Sequence, residues 1–323
     1  MTTIVDAKLF HYQLPFCKAI NFNGHLLRVR QGLVLQLRDN QGDYRYGEIA
    51  PLPGFSRETL TQAREQIISH LDNGISSLAP QNGFYPSVNF GLDSALRQIP
   101  INATPLQMPE VPLFQGDNIA LIDHYKKHNK PTLIKLKVAK QNIEKDISLF
   151  NQLVNLNSSI MIRCDANQQW SARQASHFFE HINCQHLDYI EEPTPQHGIN
   201  LQLGNKYDIG LGLDETLQNT SFNYQPHPCI KALVLKPTLI GSITRVETFI
   251  NIAAQQNLQV HMSSSFESII GLKQLTALAN TYQKKCLISL GIDTLKYFQS
   301  APLTAPQRIA EDIKKLECIW KYQ

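Results

Sequence analysis

The chain has 323 residues, of which 42% are hydrophobic and 18% charged, the composition of a globular protein large enough for one big core or two domains. Its net charge of +3 is small and its lysines are scattered, so no nucleic-acid partner is indicated. The six cysteines form no C-x-x-C pair, so neither a zinc knuckle nor a redox pair is predicted. No apolar run approaches the length of a membrane span and no signal peptide is recognisable, so no membrane anchor is predicted. The expected compartment is a reducing cytoplasm.

Residues 1–105 are predicted to form an α+β capping domain, because strand patterns of alternating apolar and polar residues are followed by helical patterns. Ser56 is expected to be the N-cap of the first helix. A C-terminal segment, 302–323, with a helix predicted over Pro306–Leu316, is expected to return and pack against this domain. The predicted elements of the domain are the strands Ile4–Leu14, Gly32–Arg38 and Arg45–Ile49 and the helices Arg57–Leu71 and Ser87–Gln98.

Two segments of this domain, Ala19–Leu27 and Pro51–Phe55, are predicted as loops, although they carry more apolar side chains than solvated loops usually do. One interpretation is that they cover something. The alternative is that they simply pack onto their own domain.

From residue 106 to residue 301 the chain repeats a short aliphatic run followed by an amphipathic helix. Buried parallel strands alternating with helices at this spacing predict the α/β class, with a modified TIM-type (β/α) barrel. An open doubly wound sheet competes, but it usually carries a glycine-rich phosphate loop after its first strand, and this chain has none there. The predicted strands are Val111–Phe114, Leu133–Val138, Ile160–Cys164, Leu187–Ile190, Ile209–Leu213, Ile230–Leu235, Leu258–Met262 and Cys286–Leu290, and the predicted helices include Ile143–Val154, Ala172–His181, Ser242–Gln256 and Glu267–Ala279.

The predicted strand Leu133–Val138 is aliphatic except for two lysines. Because successive side chains of a strand point to opposite faces, Lys135 and Lys137 share one face. Two ammonium groups side by side in an apolar strand require anions opposite them, such as carboxylates, a metal cluster or a charged substrate. An edge strand with a solvated lysine face is the alternative.

Charged residues also close the strands that follow. Function in a parallel barrel lies at the C-terminal ends of the strands. One acid after one strand is easily explained as a helix N-cap, but consecutive strand ends carrying lysine, acid, acid, acid and lysine indicate a common site. These residues are Lys137 with Lys135, then Asp165, Glu191, Asp214 and Lys236, at intervals of 28, 26, 23 and 22 residues.

Three carboxylates that converge on one point repel one another, and a divalent cation removes that repulsion. Ligation by oxygen alone indicates Mg²⁺ or Mn²⁺ rather than zinc. Lysines beside such a site suit removal of a proton from the carbon next to a carboxylate, because the metal takes up charge on the enediolate while a lysine of lowered pKa moves the proton. Partial desolvation near other cations lowers a lysine pKa, and Lys135, Lys137 and the metal provide that setting. The predicted partner is therefore a small-molecule carboxylate.

Several longer motifs extend this pattern. They are Lys135-Leu136-Lys137, Asp165-Ala166-Asn167 with Trp170, Glu191-Glu192-Pro193, Asp214-Glu215, Lys236-Pro237-Thr238, Gly47 to Ser56, Ser263 to Ser268 and Gly291 to Thr294. Together they resemble the enolase superfamily in its muconate-lactonizing subgroup, and residues 4 to 300 are similar to the short o-succinylbenzoate synthases of proteobacterial menaquinone synthesis. The resemblance implies dehydration of 2-succinyl-6-hydroxy-2,4-cyclohexadiene-1-carboxylate to 2-succinylbenzoate, with Mg²⁺ as cofactor and Mn²⁺ as a substitute.

The resemblance also implies roles for the charged residues. Lys137 is implied as the acid/base that moves the α-proton, and Lys135 as its support. Lys236 is implied on the other side of the substrate, as a partner acid/base or as a cation that stabilises the enediolate. The implied Mg²⁺ ligands are Asp165, Glu191 and Asp214.

For the substrate, the resemblance implies that Ser263 and Ser264 hold a carboxylate and that the two apolar loops form a lid over the barrel mouth. The remaining implied substrate-binding residues are Arg163, Asn167, Pro53, Gly54 and Phe55. One departure is Ala139, where a glycine is more usual after Lys-x-Lys-Val, which bears on the geometry of that loop. No protein partner is implied.

Other reactions on the same fold remain open. An N-acylamino acid racemase or dipeptide epimerase would use the same two lysines, but those relatives tend to be longer, and the epimerases carry an Asp-x-Asp that Asp293-Thr294-Leu295 lacks. A muconate-type cycloisomerase is a further alternative. A non-catalytic carboxylate-binding barrel belongs to a different class, and intact lysines on both faces argue against it.

Overall fold

The computed structural model describes residues 3–75, 78–104, 111–114, 118–127, 130–299, 303 and 308–322. The chain divides into two compact units. Unit 1 comprises Met1–Met108, Leu235–Ala254 and His261–Gln323, and unit 2 comprises Pro109–Val234 and Gln255–Val260. The division expected from the sequence, 1–105 with 302–323 against 106–301, stays a prediction. Its boundary after residue 105, Pro302 and the predicted helix start at Pro306 lie outside the described residues.

The strands are β1 (Ile4–Phe22), β2 (His25–Asp39), β3 (Tyr44–Ile49), β4 (Leu113–Phe114), β5 (Leu133–Lys137), β6 (Met161–Asp165), β7 (Leu187–Glu191), β8 (Leu211–Leu213), β9 (Ile230–Leu235), β10 (Gln259–Ser263), β11 (Ile288–Gly291) and β12 (Glu317–Lys321). The helices are α1 (Leu60–Asp72), α2 (Pro86–Leu96), α3 (Asn118–Lys127), α4 (Ile143–Leu156), α5 (Ala172–His181), α6 (His197–Tyr207), α7 (Glu215–Gln218), α8 (Pro237–Ile240), α9 (Ile243–Gln256), α10 (Ile269–Tyr282) and α11 (Ile309–Ile313). None of the described helices has the length and apolar content needed to cross a membrane.

Strands β4 to β11 follow one another in a single sheet in chain order, and the ladders from β4 to β9 are parallel. A sequential order is that of a (β/α) barrel, whereas a doubly wound sheet reverses its order at a switch point. The eight strands predicted for this region are therefore confirmed, with ends that differ from the prediction by at most two residues.

The core of unit 2 lies between this sheet and its covering helices. Ile134 and Leu136 of β5 are fully buried in the same apolar cluster as Phe150 of α4 and Phe178 of α5, whose rings meet edge to face with centroids 6.0 Å apart. Because side chains alternate along a strand, burial of this face turns the lysines of β5 to the opposite face of the sheet.

A second sheet, in unit 1, has the antiparallel order β12-β1-β2-β3. The C-terminal segment returns to it as predicted, since β12 pairs with β1 in a register that places Trp320 opposite Leu9. The contact is made by a strand that the sequence analysis missed, because Glu317–Lys321 is short and has no turn signal linking it to its partner strand. The helix before it, α11, is shorter than predicted.

The predicted loop Ala19–Leu27 is wrong. Strands β1 and β2 continue through it as a hairpin, with Phe22 paired to His25. Its two-residue turn consists of Asn23 at φ 48° and Gly24 at φ 90°. Positive φ at both central residues is the geometry that matches the twist of paired strands, and Asn-Gly is the sequence that adopts it most readily. The apolar content of this segment therefore belongs to strand ends.

The N-cap of α1 is also corrected, from Ser56 to Thr59. The Thr59 hydroxyl accepts a hydrogen bond from the Gln62 backbone N–H at 3.2 Å, and the Gln62 side chain accepts one from the Thr59 N–H at 2.9 Å. This reciprocal capping box satisfies two donors at the helix start. Ser56 instead closes the preceding turn, where its hydroxyl accepts from the Leu52 N–H at 2.8 Å.

Helix α2 packs directly on β3 through two glycines. A Cβ added to Gly47 would lie 1.8 Å from the carbonyl oxygen of Gly91, and one added to Gly91 would lie 2.7 Å from the carbonyl oxygen of Glu48. Any side chain at either position would therefore separate the helix from the strand. Glu48, the next residue along β3, is fully buried.

Candidate active site

Two ammonium groups at the end of β5 contact carboxylates from the next two strands. The sheet register pairs Lys137 with Asp165 and Asp165 with Glu191. The Nζ atom of Lys135 lies 2.9 Å from Asp165 Oδ2 and 2.6 Å from Glu191 Oε2. The Nζ atom of Lys137 lies 2.6 Å from the same Asp165 oxygen. These carboxylates are the anions that the lysine pair requires.

Burial and neighbouring charges shift the pKa values of Lys135 and Glu191. Burial disfavours the charged form of Lys135, but the carboxylates of Asp165 and Glu191 outweigh burial and hold its pKa well above the usual value. The lowered pKa expected from the sequence concerns the lysine that moves the proton beside a bound metal, and it stays a prediction. Burial also raises the pKa of Glu191 to about 8, with repulsion from Asp165 and Asp214 acting against the attraction of Lys135. The shift of Lys135 thus comes from its two carboxylate neighbours, and that of Glu191 comes first from burial.

The third predicted ligand, Asp214, directly follows β8 and is 1% exposed. The Gln218 side-chain amide donates to its Oδ1 atom at 3.4 Å. Gly212, two residues earlier, makes room for the neighbouring ligand, because a Cβ there would lie 3.0 Å from Glu191 Cγ and 3.1 Å from the Tyr189 ring. The end of β8 is thus built around the carboxylate of Glu191.

Two predicted substrate-binding residues of unit 2 are bound by protein groups. Lys137 Nζ donates to Asn167 Oδ1 at 2.7 Å, and Asn167 Nδ2 donates to Glu215 at 3.2 Å. The Arg163 Nε donates to Asp188 at 2.7 Å. Asn167 thus lies beside Lys137. A contact of Asn167 or Arg163 with substrate stays a prediction.

As the side chains stand, the described residues include no group of three His, Cys, Asp or Glu that could hold a metal ion. The Lys135 ammonium lies between the carboxylates of Asp165 and Glu191. The donor set nevertheless fits a hard divalent cation, because three buried carboxylates follow three adjacent strands and carry surplus negative charge. Asp165, Glu191 and Asp214 therefore fit the ion in type and placement.

The remaining predicted residues lie in unit 1. Lys236 follows β9, and its Nζ atom lies 6.0 Å from the centroid of the Phe55 ring. Ser263 ends β10 and Ser264 directly follows it, and both are half-buried. The Ser264 hydroxyl lies 3.2 Å from the Thr294 hydroxyl. Within this unit the structure brings Lys236 and Phe55 together.

The turn Pro53–Phe55 packs against the β1–β2 hairpin. Gly54 has φ 86°, and a Cβ there would lie 2.2 Å from the Phe22 carbonyl oxygen, so both conformation and contact require glycine. The rings of Phe22 and Phe55 meet edge to face at 6.3 Å. The two apolar segments therefore pack on each other within their own unit, and their closing as a lid stays a prediction.

Comparison with known proteins gives the family. Residues 4–99 match the family model described as MenC, N-terminal domain, and residues 120–309 match the model described as Enolase C-terminal domain-like. The chain is 34% identical over 310 residues to the o-succinylbenzoate synthase of Pasteurella multocida (strain Pm70), covering 91% of this chain and 90% of that protein. It is 31% identical over 328 residues to that of Aliivibrio fischeri (strain ATCC 700601 / ES114), covering 98% and 99%. The chain belongs to the o-succinylbenzoate synthase family.

Solved structures agree on the fold. The o-succinylbenzoate synthase of Thermosynechococcus elongatus BP-1, complexed with Mg in its active site, superposes with a TM-score of 0.74 at 24% identity, covering 95% of this chain and 99% of that chain. The L-Ala-D/L-Glu epimerase of Bacillus subtilis superposes with a TM-score of 0.72 at 15% identity, covering 92% of each chain. The predicted barrel with an α+β capping domain is confirmed as the enolase-superfamily fold.

In this member of the o-succinylbenzoate synthase family, Glu192 supports a predicted ligand in a way that the sequence analysis missed. Its Oε1 atom accepts the backbone N–H of Asp214 at 2.9 Å and that of Thr216 at 2.8 Å. Gln168 donates to its other oxygen. Burial raises the pKa of Glu192, against these hydrogen bonds. The sequence feature that could have indicated this role is the adjacency of Glu192 to Glu191, because neighbouring residues at a strand end point to opposite faces and can both act on one site.

Ala139, where the resemblance led us to expect glycine, has φ 62°, a conformation that favours glycine. Its backbone N–H donates to Asp146 Oδ2 at 2.8 Å. Burial raises the pKa of Asp146 to about 6 against this bond and one from Gln141. The loop after Lys137 thus keeps the glycine-like conformation with an alanine, held by a buried acid.

Proposed function

We propose that this protein is a Mg²⁺-dependent o-succinylbenzoate synthase that converts 2-succinyl-6-hydroxy-2,4-cyclohexadiene-1-carboxylate to 2-succinylbenzoate by syn dehydration in menaquinone biosynthesis. The observation that carries the proposal is the cluster at the ends of β5 to β7, where two lysines lie within 2.9 Å of Asp165 or Glu191. Membership of the o-succinylbenzoate synthase family supports the choice of reaction.

Asp165, Glu191 and Asp214 are the proposed ligands of Mg²⁺, for which Mn²⁺ substitutes. When bound, the ion supplies positive charge that stabilises the enediolate form of the substrate carboxylate. Glu192 keeps the backbone of Asp214 in place through two hydrogen bonds. Loss of a group that positions a metal ligand in this way typically lowers metal affinity by about 10-fold to 100-fold.

The proton moves through a lysine. Lys137 removes the proton from the ring carbon that bears the carboxylate, and the electron pair passes into the enediolate. When the pair returns, the ring C–O bond breaks, the hydroxyl leaves as water with a proton from the same lysine, and the ring becomes aromatic. Asn167, 2.7 Å from Lys137 Nζ, orients that amine, and Lys135 sets the charge around it. Since aromatisation drives the reaction, the enzyme mainly has to stabilise the dianion.

Residues of unit 1 complete the proposed assignment. Lys236 supplies a second cation, either as a partner acid/base or by stabilising the enediolate. Ser263 and Ser264 bind a substrate carboxylate. The other proposed substrate contacts are Pro53, Gly54 and Phe55 of the same unit and Arg163 and Asn167 of unit 2.

A small-molecule carboxylate is the one partner of this proposal, which needs no nucleic acid, membrane or protein. A cytoplasmic location belongs to the same proposal. It is supported by the cysteines, all six of which are free, as is usual where thiols are kept reduced.

The direct test is turnover. With Mg²⁺, the purified protein is expected to convert the cyclohexadiene substrate to 2-succinylbenzoate, followed by the absorbance change on aromatisation. The same preparation is assayed with a panel of N-acylamino acids and dipeptides. Faster inversion of any of these than dehydration would reject the proposal in favour of a racemase or epimerase.

Replacing Lys236 by arginine distinguishes the two chemistries further. A racemase must deliver a proton to the face opposite the one it deprotonates, so it needs two lysines that exchange protons. Syn dehydration needs only one lysine that transfers protons. Arginine keeps the charge but cannot act as a base near neutral pH. We therefore expect Lys236→Arg to retain measurable dehydration and to lose any racemisation.

The measurement pairs formation of 2-succinylbenzoate with exchange of the α-proton of an N-succinylamino acid in deuterated water. Lys231→Arg, on the exposed side of β9, is the matched control and should change neither rate. Equal loss of both activities in Lys236→Arg would contradict a purely electrostatic role of Lys236 in dehydration.

A further inference from the structure

Arg30, in β2, is a buried cation whose donors are all used on main-chain carbonyls. It is 1% exposed and is among the largest fully buried side chains. An arginine has five N–H donors, and here they meet five carbonyl oxygens. The acceptors are Gln31 at 2.8 Å, Ala50 at 2.5 Å, Pro51 at 2.7 Å, Ser265 at 3.3 Å and Phe266 at 3.1 Å.

Four of those carbonyls, all except that of Gln31, adjoin the two substrate-binding segments of the proposed function. Ala50 and Pro51 lead directly into the turn Pro53–Phe55. Ser265 and Phe266 directly follow the serine pair Ser263–Ser264. One rigid guanidinium therefore joins the backbones of two segments that are more than 200 residues apart in the chain.

The second segment needs such support. Phe266 has φ 58°, a strained conformation for a bulky L-residue, which persists only where its surroundings impose it. Its carbonyl is held by Arg30 at 3.1 Å. Its ring packs edge to face on Phe16 and Phe22 with centroids 5.9 Å and 4.9 Å away.

Two buried acids hold the same turn from its other side. Glu267 accepts the backbone N–H of Ser265 at 2.5 Å and the hydroxyl of Thr238 at 2.7 Å. Glu48 accepts the Ser268 N–H at 2.8 Å and the Gly271 N–H at 2.7 Å at the start of α10. Both acids are 0% exposed. The turn whose carbonyls Arg30 binds thus also has its N–H groups bound by these two acids.

We propose that Arg30 is a positioning residue for dehydration, which fixes the Pro53–Phe55 turn and the Ser263–Ser264 pair in one geometry before substrate binds. This inference rests on the proposed function. A lysine cannot reproduce it, because an ammonium has three donors and no planar fork. Displacement of substrate-positioning groups by about 1 Å can cost about 100-fold in rate.

The test compares Arg30→Lys with Arg45→Lys. Arg45 is a matched control, since it is a mostly buried arginine of the same sheet that binds Asp39 at 2.8 Å and touches neither segment. We expect Arg30→Lys to raise KM about tenfold or more, with a smaller fall in kcat. Arg45→Lys should keep the KM of the wild type. A purely structural role for Arg30 would lower kcat per total protein and leave KM unchanged, and that result would overturn the proposal.

Two further readouts keep the test decisive. If the wild type forms no 2-succinylbenzoate, the proposed function fails, whereas an active wild type with unchanged KM in Arg30→Lys rejects the inference alone.

If Arg30→Lys does not fold, hydrogen exchange on the wild type replaces it. The amides of Phe55, Ser56 and Ser264 should then exchange as slowly in the free protein as with 2-succinylbenzoate bound. Fast exchange in the free protein would show that the segments are not preset, and would overturn the proposal.

Discussion

Replacing Lys137 by alanine is expected to abolish nearly all dehydration. Its Nζ atom is the proposed proton carrier, and it lies 2.6 Å from Asp165 and 2.7 Å from Asn167. General acid–base groups contribute about 10²-fold to 10⁴-fold to rate, so kcat should fall by about that factor. Mg²⁺ binding should persist, because the substitution removes no ligand. The measurement is kcat alongside a Mg²⁺ titration followed by calorimetry.

Lys145→Ala, at an exposed position of α4, is the control for loss of a lysine near the loop that follows Lys137, and it should behave as the wild type. Lys135→Ala should also be severely impaired, since it removes the cation that lies between Asp165 and Glu191. Near-normal turnover by Lys137→Ala would mean that another group is the base.

Removal of divalent metal is expected to have an equally large effect. Asp165, Glu191 and Asp214 are each at most 2% exposed, and burial together with their mutual repulsion raises the pKa of Glu191 to about 8. A divalent ion should relieve this repulsion. Activity should therefore vanish in EDTA and return with Mg²⁺ or Mn²⁺. A ligand present at about 100 times its Kd stabilises the folded state by about 2.7 kcal/mol, so the ion should also raise the Tm.

The control for the thermal shift is a pair of variants. Asp214→Asn should lose the Mg²⁺-dependent rise in Tm, while Asp43→Asn, in an exposed hairpin turn, should keep it. Full activity of a rigorously metal-free sample would reject the metal assignment.

Much of the barrel could be predicted because its signals are local. An aliphatic run such as Leu133–Val138 is recognisable by its composition, and charged residues at successive strand ends need no knowledge of packing. The Asp165 to Glu191 adjacency follows from parallel strands in sequential order. These inferences use only the period of a strand and the order of the strands.

The rest depends on contacts between distant segments. Ser56 and Thr59 are both acceptable caps by residue type, and only the reciprocal bonds of Thr59 and Gln62 decide between them. The role of Glu192 rests on which backbone N–H groups lie within reach across β8. Arg30 has no neighbouring motif at all, because its partners are carbonyl oxygens, which every residue carries.

The glycine contact between α2 and β3 has a mechanical consequence. Since a Cβ added to Gly47 would lie only 1.8 Å from the Gly91 oxygen, the two backbones meet without any side chain that could yield by changing rotamer. Such a joint resists sliding, because movement along the strand would force main chain against main chain. Glu48 is the next residue along β3 after Gly47, so its backbone is held by the same contact. Because Glu48 accepts the N–H groups of Ser268 and Gly271, the contact between α2 and β3 also limits movement at the start of α10.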